Sequence, residues 1–295
     1  MGYLFVVIVL LAGAVKGFFG KKTGGYATTT QSSLLLSLIR MFFCVGLSFI
    51  VVLFTGDISF IIPQPQMLFV FAVSGISTAL FVTSWLLAVR KNAYMMLDVF
   101  LMISALVPMI SANILFNEEI SIRQWIGFGV LLIAVAIMCA YNKAEKAGFN
   151  ATSLILLIIC AISSGVADTS QKVFAASFSE TPVSVFNFYT YAFSCVALVV
   201  FFLFICRKEK TDIKKTDIRR VIIYIIIMSL ALVLHSYFKT LAAFYLDSVK
   251  LYPLNQAGAL ILSSLMARFL FKEKMPPTAI LGIVLAFGAL LLINL

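Results

Sequence analysis

Ionisable side chains are few in this sequence, and several of them interrupt long apolar runs. Asp168 and Lys172 stand four apart in one run, and His235 and Lys239 repeat the spacing in another. On an α-helix, residues i and i+4 share a face. Asp168 and Lys172 are therefore expected to form an ion pair. In a functional reading, Asp168 takes a proton or an ammonium group, and Lys172 holds a carboxylate or a phosphate. Gln171 lies beside them with an amide. His235 carries the one side chain type that titrates near neutrality, next to the Lys239 ammonium. Each couple also has a plain structural reading: a self-neutralised pair, or an imidazole hydrogen-bonded between helices.

Other candidates share this setting. Lys16 lies near the end of the first apolar run, where its stem would also let it snorkel to the interface. Arg40 interrupts the second run and fits a structural or gating role as well as a binding one. Asp98 lies a few residues into the fourth and is a candidate coupling carboxylate with Asp168 and His235. Asn255 and Gln256 follow Pro253, which is expected to open the ninth run and leave a carbonyl without its donor. Pro108, mid-way along the fourth run, removes a helical hydrogen bond. Pro108 and Pro253 are the hinge candidates. Tyr189, Tyr237 and Tyr252 are the aromatic ones. An ionisable group at the centre of a membrane span costs about 2.5–3.5 kcal/mol. It is kept where a cavity, a partner or a route to the interface removes that cost.

The elements that position these groups follow from hydropathy. Of 295 residues, 62% are hydrophobic and 12% charged, against about 25% charged in soluble domains. Ten apolar runs alternate with short polar connections: Gly2–Gly20, Ser33–Thr55, Met67–Val89, Ala93–Phe116, Gln124–Tyr141, Ala151–Ala176, Val183–Cys206, Val221–Tyr245, Leu251–Phe271 and Thr278–Leu295. Each suits a helix crossing a bilayer, and none alternates like a barrel strand. The prediction is an all-α membrane protein of ten transmembrane helices. The net charge of +10 then reads as topology rather than nucleic-acid binding. Connections after the odd-numbered runs hold fifteen Lys and Arg, seven of them from Arg207 to Arg220; the opposite side holds Arg123 and Lys250. Positive charge stays in the cytoplasm. The Arg207–Arg220 loop is therefore expected to be cytoplasmic and both termini extracytoplasmic, in the inner (plasma) membrane.

The two halves echo one another. At an offset of 155, Ala112, Leu115, Phe116, Glu118, Gly127 and Ala134 fall on Ala267, Leu270, Phe271, Glu273, Gly282 and Ala289. Residues 1–146 and 147–295 then form two five-helix repeats. An odd number of spans inverts the second copy, an architecture recurrent in secondary transporters, with the site at the repeat interface.

Phe116-Asn117-Glu118 before Trp125-Ile126-Gly127, and Phe271-Lys272-Glu273 before Leu281-Gly282, resemble the end of an EamA-type repeat. Arg40, within Ser37-Leu38-Ile39-Arg40-Met41-Phe42, resembles the arginine of that repeat's second span, and Leu87-Ala88-Val89 the small-residue end of its third. The whole chain resembles the drug/metabolite transporter superfamily. That resemblance implies a cavity between the first four helices of each repeat and a peripheral fifth helix. It also implies a secondary exporter or exchanger of small polar metabolites. The excess of Lys16, Arg40, Lys172, His235 and Lys239 over Asp98 and Asp168 points to an anionic or zwitterionic substrate. The alternatives are a lipid-headgroup flippase and a non-transporting membrane partner or sensor.

The single histidine and five scattered cysteines (Cys44, Cys139, Cys160, Cys195, Cys206) supply no metal ligand set, and the cysteines read as small apolar packing residues. No nucleophile and base stand together, so an enzyme is not expected, nor is a cofactor or metal. The expected partners are a small-molecule substrate and the lipid bilayer, with no nucleic acid; a homodimer stays open.

Overall fold

The computed structural model describes residues 1–27, 29–90, 94–144, 151–205, 218–270 and 277–294. These residues are helical almost throughout: α1 (Gly2–Gly24), α2 (Thr30–Thr55), a 3-10 turn (Asp57–Phe60), α3 (Pro65–Arg90), α4 (Tyr94–Ser104), α5 (Leu106–Phe116), α6 (Ile122–Ala144), α7 (Ala151–Ser177), α8 (Val183–Ile205), α9 (Ile218–Ala243), α10 (Ser248–Phe269) and α11 (Pro277–Asn294). α4 and α5 form one broken rod, so the ten expected spans are present. Among the described residues, six helices are individually long and apolar enough to cross a membrane, namely α1, α2, α3, α7, α8 and α9; α4–α5, α6 and α11 contain shorter apolar stretches. Side chains such as Phe42, Phe54, Phe69, Ile114 and Phe204 point outward, while serines, amides and charged groups lie inside. That is the distribution expected of a bundle whose solvent is lipid.

Helix boundaries follow local chemistry. Thr29 starts α2 through a reciprocal capping box with Ser32, and Gly56 ends it in the left-handed region at φ 75°. Asn117 does the same for α5 at φ 53°. The break between α4 and α5 falls at Ala105, three residues before Pro108. Proline has no N–H for the Ser104 carbonyl, and its ring crowds that carbonyl. Gly165 of α7 packs against the break. A Cβ on Gly165 would stand 2.7 Å from the Ser104 oxygen and 2.6 Å from Val107 Cβ.

Packing is symmetric under exchange of the two halves. α1 lies on α9 as α3 lies on α7; α2 meets α8, and α6 meets α11. The directions are legible from paired residues. Along α1 and α9, Gly2 faces Leu246, Gly13 faces His235, and Thr23 donates to Met228 Sδ at 3.4 Å, so these helices are antiparallel. Along α3 and α7, Met67 meets Thr181 and Phe81 meets Cys160, again antiparallel. α1 and α3 run parallel, with Lys16 over the Phe81 ring and Gly20 against Trp85. α9 is thus antiparallel to α3, its counterpart in the first half, and the second half runs upside down relative to the first. One face of the bundle carries Met1, the α5–α6 connection and the α9–α10 connection. The opposite face carries the ends of α1 and α3.

Two expectations need correction. Pro253 does not open its helix. Asp247, in extended backbone, starts α10 at Ser248, and Pro253 lies inside it. The polar stretch Asp247–Lys250 hid that first turn from hydropathy. Nor do Asp168 and Lys172 pair with each other, because each has a better-placed partner elsewhere, Lys239 of α9 for Asp168 and Glu118 of the α5–α6 connection for Lys172.

Candidate functional site

A cavity of about 110 Å³ lies among α1, α3, α4, α7, α8, α9 and α10. Its floor is polar and its walls are mixed. α7 contributes Ser164, Ala167, Asp168 and Gln171, a row at i, i+3, i+4 and i+7 on one helix face. α9 contributes Leu232, His235, Ser236 and Lys239 with the same periodicity. α10 adds Asn255, Gln256, Ala259, Ser263 and Met266. α1 adds Gly13, Ala14, Lys16 and Gly17, and α3 adds Thr78, Phe81 and Trp85. The polar lining sits near mid-bundle. Gly17, Trp85 and Met266 extend it toward the face opposite Met1.

The strongest interaction in the cavity crosses from α7 to α9. Lys239 Nζ donates to Asp168 Oδ1 at 2.5 Å, with the carboxylate 1% exposed. A pair this buried holds only because each charge meets the other. Tyr252 Oη donates to the Asp168 carbonyl at 2.7 Å. Gln171 Nε2 donates to Ser236 Oγ at 3.2 Å, and Ser236 donates to Asn187 Oδ1 at 2.6 Å. Gln256 Nε2 donates to Ser104 Oγ at 3.1 Å, touching the last residue before the α4–α5 break. His235 Nδ1 lies 3.0 Å from the Val9 carbonyl. A carbonyl only accepts, so Nδ1 carries a proton. Gly13 leaves the room this ring occupies, 3.4 Å from where a Cβ would be.

Three acceptors in the lining have no hydrogen-bond partner among the described residues: Asp168 Oδ2, Gln171 Oε1 and Asn255 Oδ1. Their residues are 1%, 6% and 3% exposed. Buried acceptors are normally satisfied, and the residues that carry these three line one cavity.

The sequence candidates divide accordingly. Lys16, Asp168, Gln171, His235, Lys239, Asn255 and Gln256 come together around the cavity. Arg40 does not line it. The Arg40 carbonyl accepts from Ser229 Oγ at 3.2 Å, and its buried Nε has no hydrogen-bond partner among the described residues. Lys172 lies one turn beyond Asp168 and pairs with Glu118 at 2.7 Å. Asp98 is on α4, and its side chain lies outside the described residues, as do Lys91, Lys143, Lys146, the Arg207–Asp217 segment, Lys272, Glu273 and Lys274. Pro108 makes the helix break near the floor, and Pro253 sits behind Asn255. Of the tyrosines, Tyr189 donates to the Ile61 carbonyl at 2.5 Å and Tyr252 to Asp168, and neither lines the cavity, nor does Tyr237. Tyr191 does, with its hydroxyl on the Leu232 carbonyl at 3.2 Å. Ser164, Thr190 and Ser236 were also missed. Thr190 donates to Ser74 Oγ at 3.1 Å and Ser236 to Asn187 Oδ1, partners on other helices that the sequence of one helix does not show. The polar row at 164, 168 and 171 was the available signal. Among the described residues, no group of three or more His, Cys, Asp or Glu could hold a metal ion.

Comparison with known proteins agrees with the fold. The family model described as "EamA-like transporter family" matches residues 151–295. No curated protein matches the chain. A solved structure described as "Crystal structure of protein" superposes with a TM-score of 0.73 at 14% identity, over 99% of this chain and 97% of its own. At that identity the likeness concerns the fold alone.

Proposed function

We propose that the chain is a membrane transporter of the drug/metabolite transporter superfamily, a reading supported by the match of residues 151–295 to the EamA-like transporter family, and that it moves small anionic or zwitterionic solutes through the central cavity by alternating access. The observation that carries this reading is the lining itself. Three unpartnered acceptors, on Asp168, Gln171 and Asn255, stand in one cavity with the ammonium of Lys16 and the imidazole of His235. The acceptors suit an ammonium or hydroxyl donor, and Lys16 suits a carboxylate or phosphate. A solute with both kinds of group satisfies both sides at once.

In this reading residues 1–146 and 147–295 are two inverted repeats that rock about the cavity. The α4–α5 break at Pro108 and the interrupted ladder at Pro253 are the flex points. A solute or proton gradient supplies the energy, with Asp168 and His235 as the proton-bearing groups. The protein lies in the inner membrane with both termini outside, as the Lys and Arg distribution of the connections requires.

A thermal-shift screen of the detergent-purified protein against amino acids, organic acids, sugar phosphates and nucleotides tests the solute class. A true ligand raises stability by about 2.7 kcal/mol at a hundredfold excess over Kd. That shift is expected to vanish in Asp168→Asn and to weaken in Lys16→Gln. A well-folded sample that responds to none of the panel would transfer the reading to a lipid headgroup or a protein partner.

A further inference from the structure

On the Met1 face, a second ion pair stands one helical turn outward from the cavity. Lys172 Nζ lies 2.7 Å from Glu118 Oε1 and donates to the Leu246 carbonyl at 3.2 Å. Glu118 Oε2 accepts from the backbone N–H of Ser248 at 2.8 Å, at the start of α10. Two side chains therefore tie together the α5–α6 connection, α7 and the α9–α10 connection. These segments come from both halves of the chain. Both side chains are largely covered, at 12% and 13% exposure. Just outside them lies a surface groove lined in part by Glu119, Arg123, Asp247 and Lys250. Just inside lie Tyr252 and the Asp168–Lys239 pair. The order from cavity to surface is thus polar cavity, ion pair, buried tyrosine, ion pair, charged groove.

Lys172 and Asp168 occupy the same face of α7, four residues apart. That is the spacing at which two side chains of opposite charge reach each other. In this structure Asp168 is drawn to α9 and Lys172 to the α5–α6 connection. We propose that Lys172 and Glu118 form the gate on the Met1 face, and that it opens by exchange of ion pairs. Lys172 leaves Glu118 and the Leu246 carbonyl, turns inward to Asp168, and so displaces Lys239. The α9–α10 connection is then released from the α5–α6 connection, and the cavity joins the groove. One carboxylate, Asp168, is shared between a closed-gate and an open-gate partner. The state of the gate is thereby tied to the group that faces the solute. This rests on reading the chain as an alternating-access transporter.

The test is labelling of the full-length protein in membranes, with Cys44, Cys139, Cys160, Cys195 and Cys206 replaced by serine and a reporter cysteine at Ser164 in the cavity. A membrane-impermeant maleimide is applied from the Met1 face. The parent is expected to label slowly. Glu118→Gln and Lys172→Gln are each expected to label about tenfold faster, the scale of a two-state gate biased by one partly buried pair. Lys172→Arg keeps the pair and should keep the slow rate. The double exchange of Glu118→Lys with Lys172→Glu should return toward it. Adding Asp168→Asn to Glu118→Gln should slow labelling again, because Lys172 then has no inward partner. Unchanged rates in both single variants overturn the gate, and a double exchange as fast as the singles does the same. No effect of Asp168→Asn overturns the exchange of partners. Labelling needs no solute, so a chain that gates as described but carries nothing would overturn the transport reading and leave the gate standing.

Discussion

The seam between α6 and α11 and the junction among α1, α7, α9 and α10 are both buried inside the same bundle, yet they are built from opposite materials. The seam packs Gly127, Phe128, Leu131 and Ala134 against Ala286, Ala289, Leu290 and Ile293. A Cβ on Gly127 would lie 2.6 Å from Ile293 Cγ1. A polar tie across it is a long bond of 3.4 Å from Gln124 Nε2 to the Ile293 carbonyl. The junction buries two charges, three amides and an imidazole, and leaves three acceptors unsatisfied. Lipid is as apolar as leucine, so helices in a membrane associate through close packing and need no buried charge to do so. The seam shows what this fold needs for stability. What the junction carries beyond that is held for another use.

Substitutions separate the two regions. The largest effect is expected at the Asp168–Lys239 pair. Lys239→Met alone leaves a buried carboxylate without its partner and should cost about 3–5 kcal/mol, read as thermal unfolding in detergent. Lys239→Met combined with Asp168→Leu should recover most of that loss and still abolish solute counterflow. A double variant as unstable as the single would mean that the pair is scaffolding, and the contrast with the seam would fail.

Next comes the seam. Leu131→Ala should cost about 2 kcal/mol through the cavity it leaves, while counterflow per folded molecule stays at the parent value. A transport defect larger than the loss of folded protein would assign the seam a part in the cycle. Smaller again is the stability effect of Asn255→Leu or Gln171→Leu. Replacing an unsatisfied acceptor by an apolar group of similar size should hold stability within about 1 kcal/mol, or raise it. Binding of the thermal-shift ligand should nonetheless be lost. The least effect is expected from Gln124→Ala, within about 0.5 kcal/mol, since its bond is long and partly exposed.

The sequence made the ten rods legible because a bilayer tolerates few alternatives to an apolar helix, and the break near Pro108 followed from a missing N–H. It also drew attention to Lys16, Asp168, His235, Lys239, Asn255 and Gln256, because a charge or an amide within an apolar run stands out. Partners were not legible. The spacing of Asp168 and Lys172 describes one helix, whereas their ion pairs reach Lys239 and Glu118, which packing alone brings near. Arg40 looked equivalent to Lys16 in sequence, but it is not among the residues that line the cavity. The start of α10 was obscured because a charged first turn held by Glu118 reads as a loop.

The account turns on whether the unsatisfied acceptors serve a transported solute. The most direct measurement is counterflow of amino acids and small organic anions into proteoliposomes, comparing the parent with Gln171→Leu/Asn255→Leu. The account predicts that the parent exchanges at least one zwitterionic or anionic solute, and that the double variant, equally folded, exchanges none. Equal exchange by both proteins, or none by a well-folded parent, would contradict it.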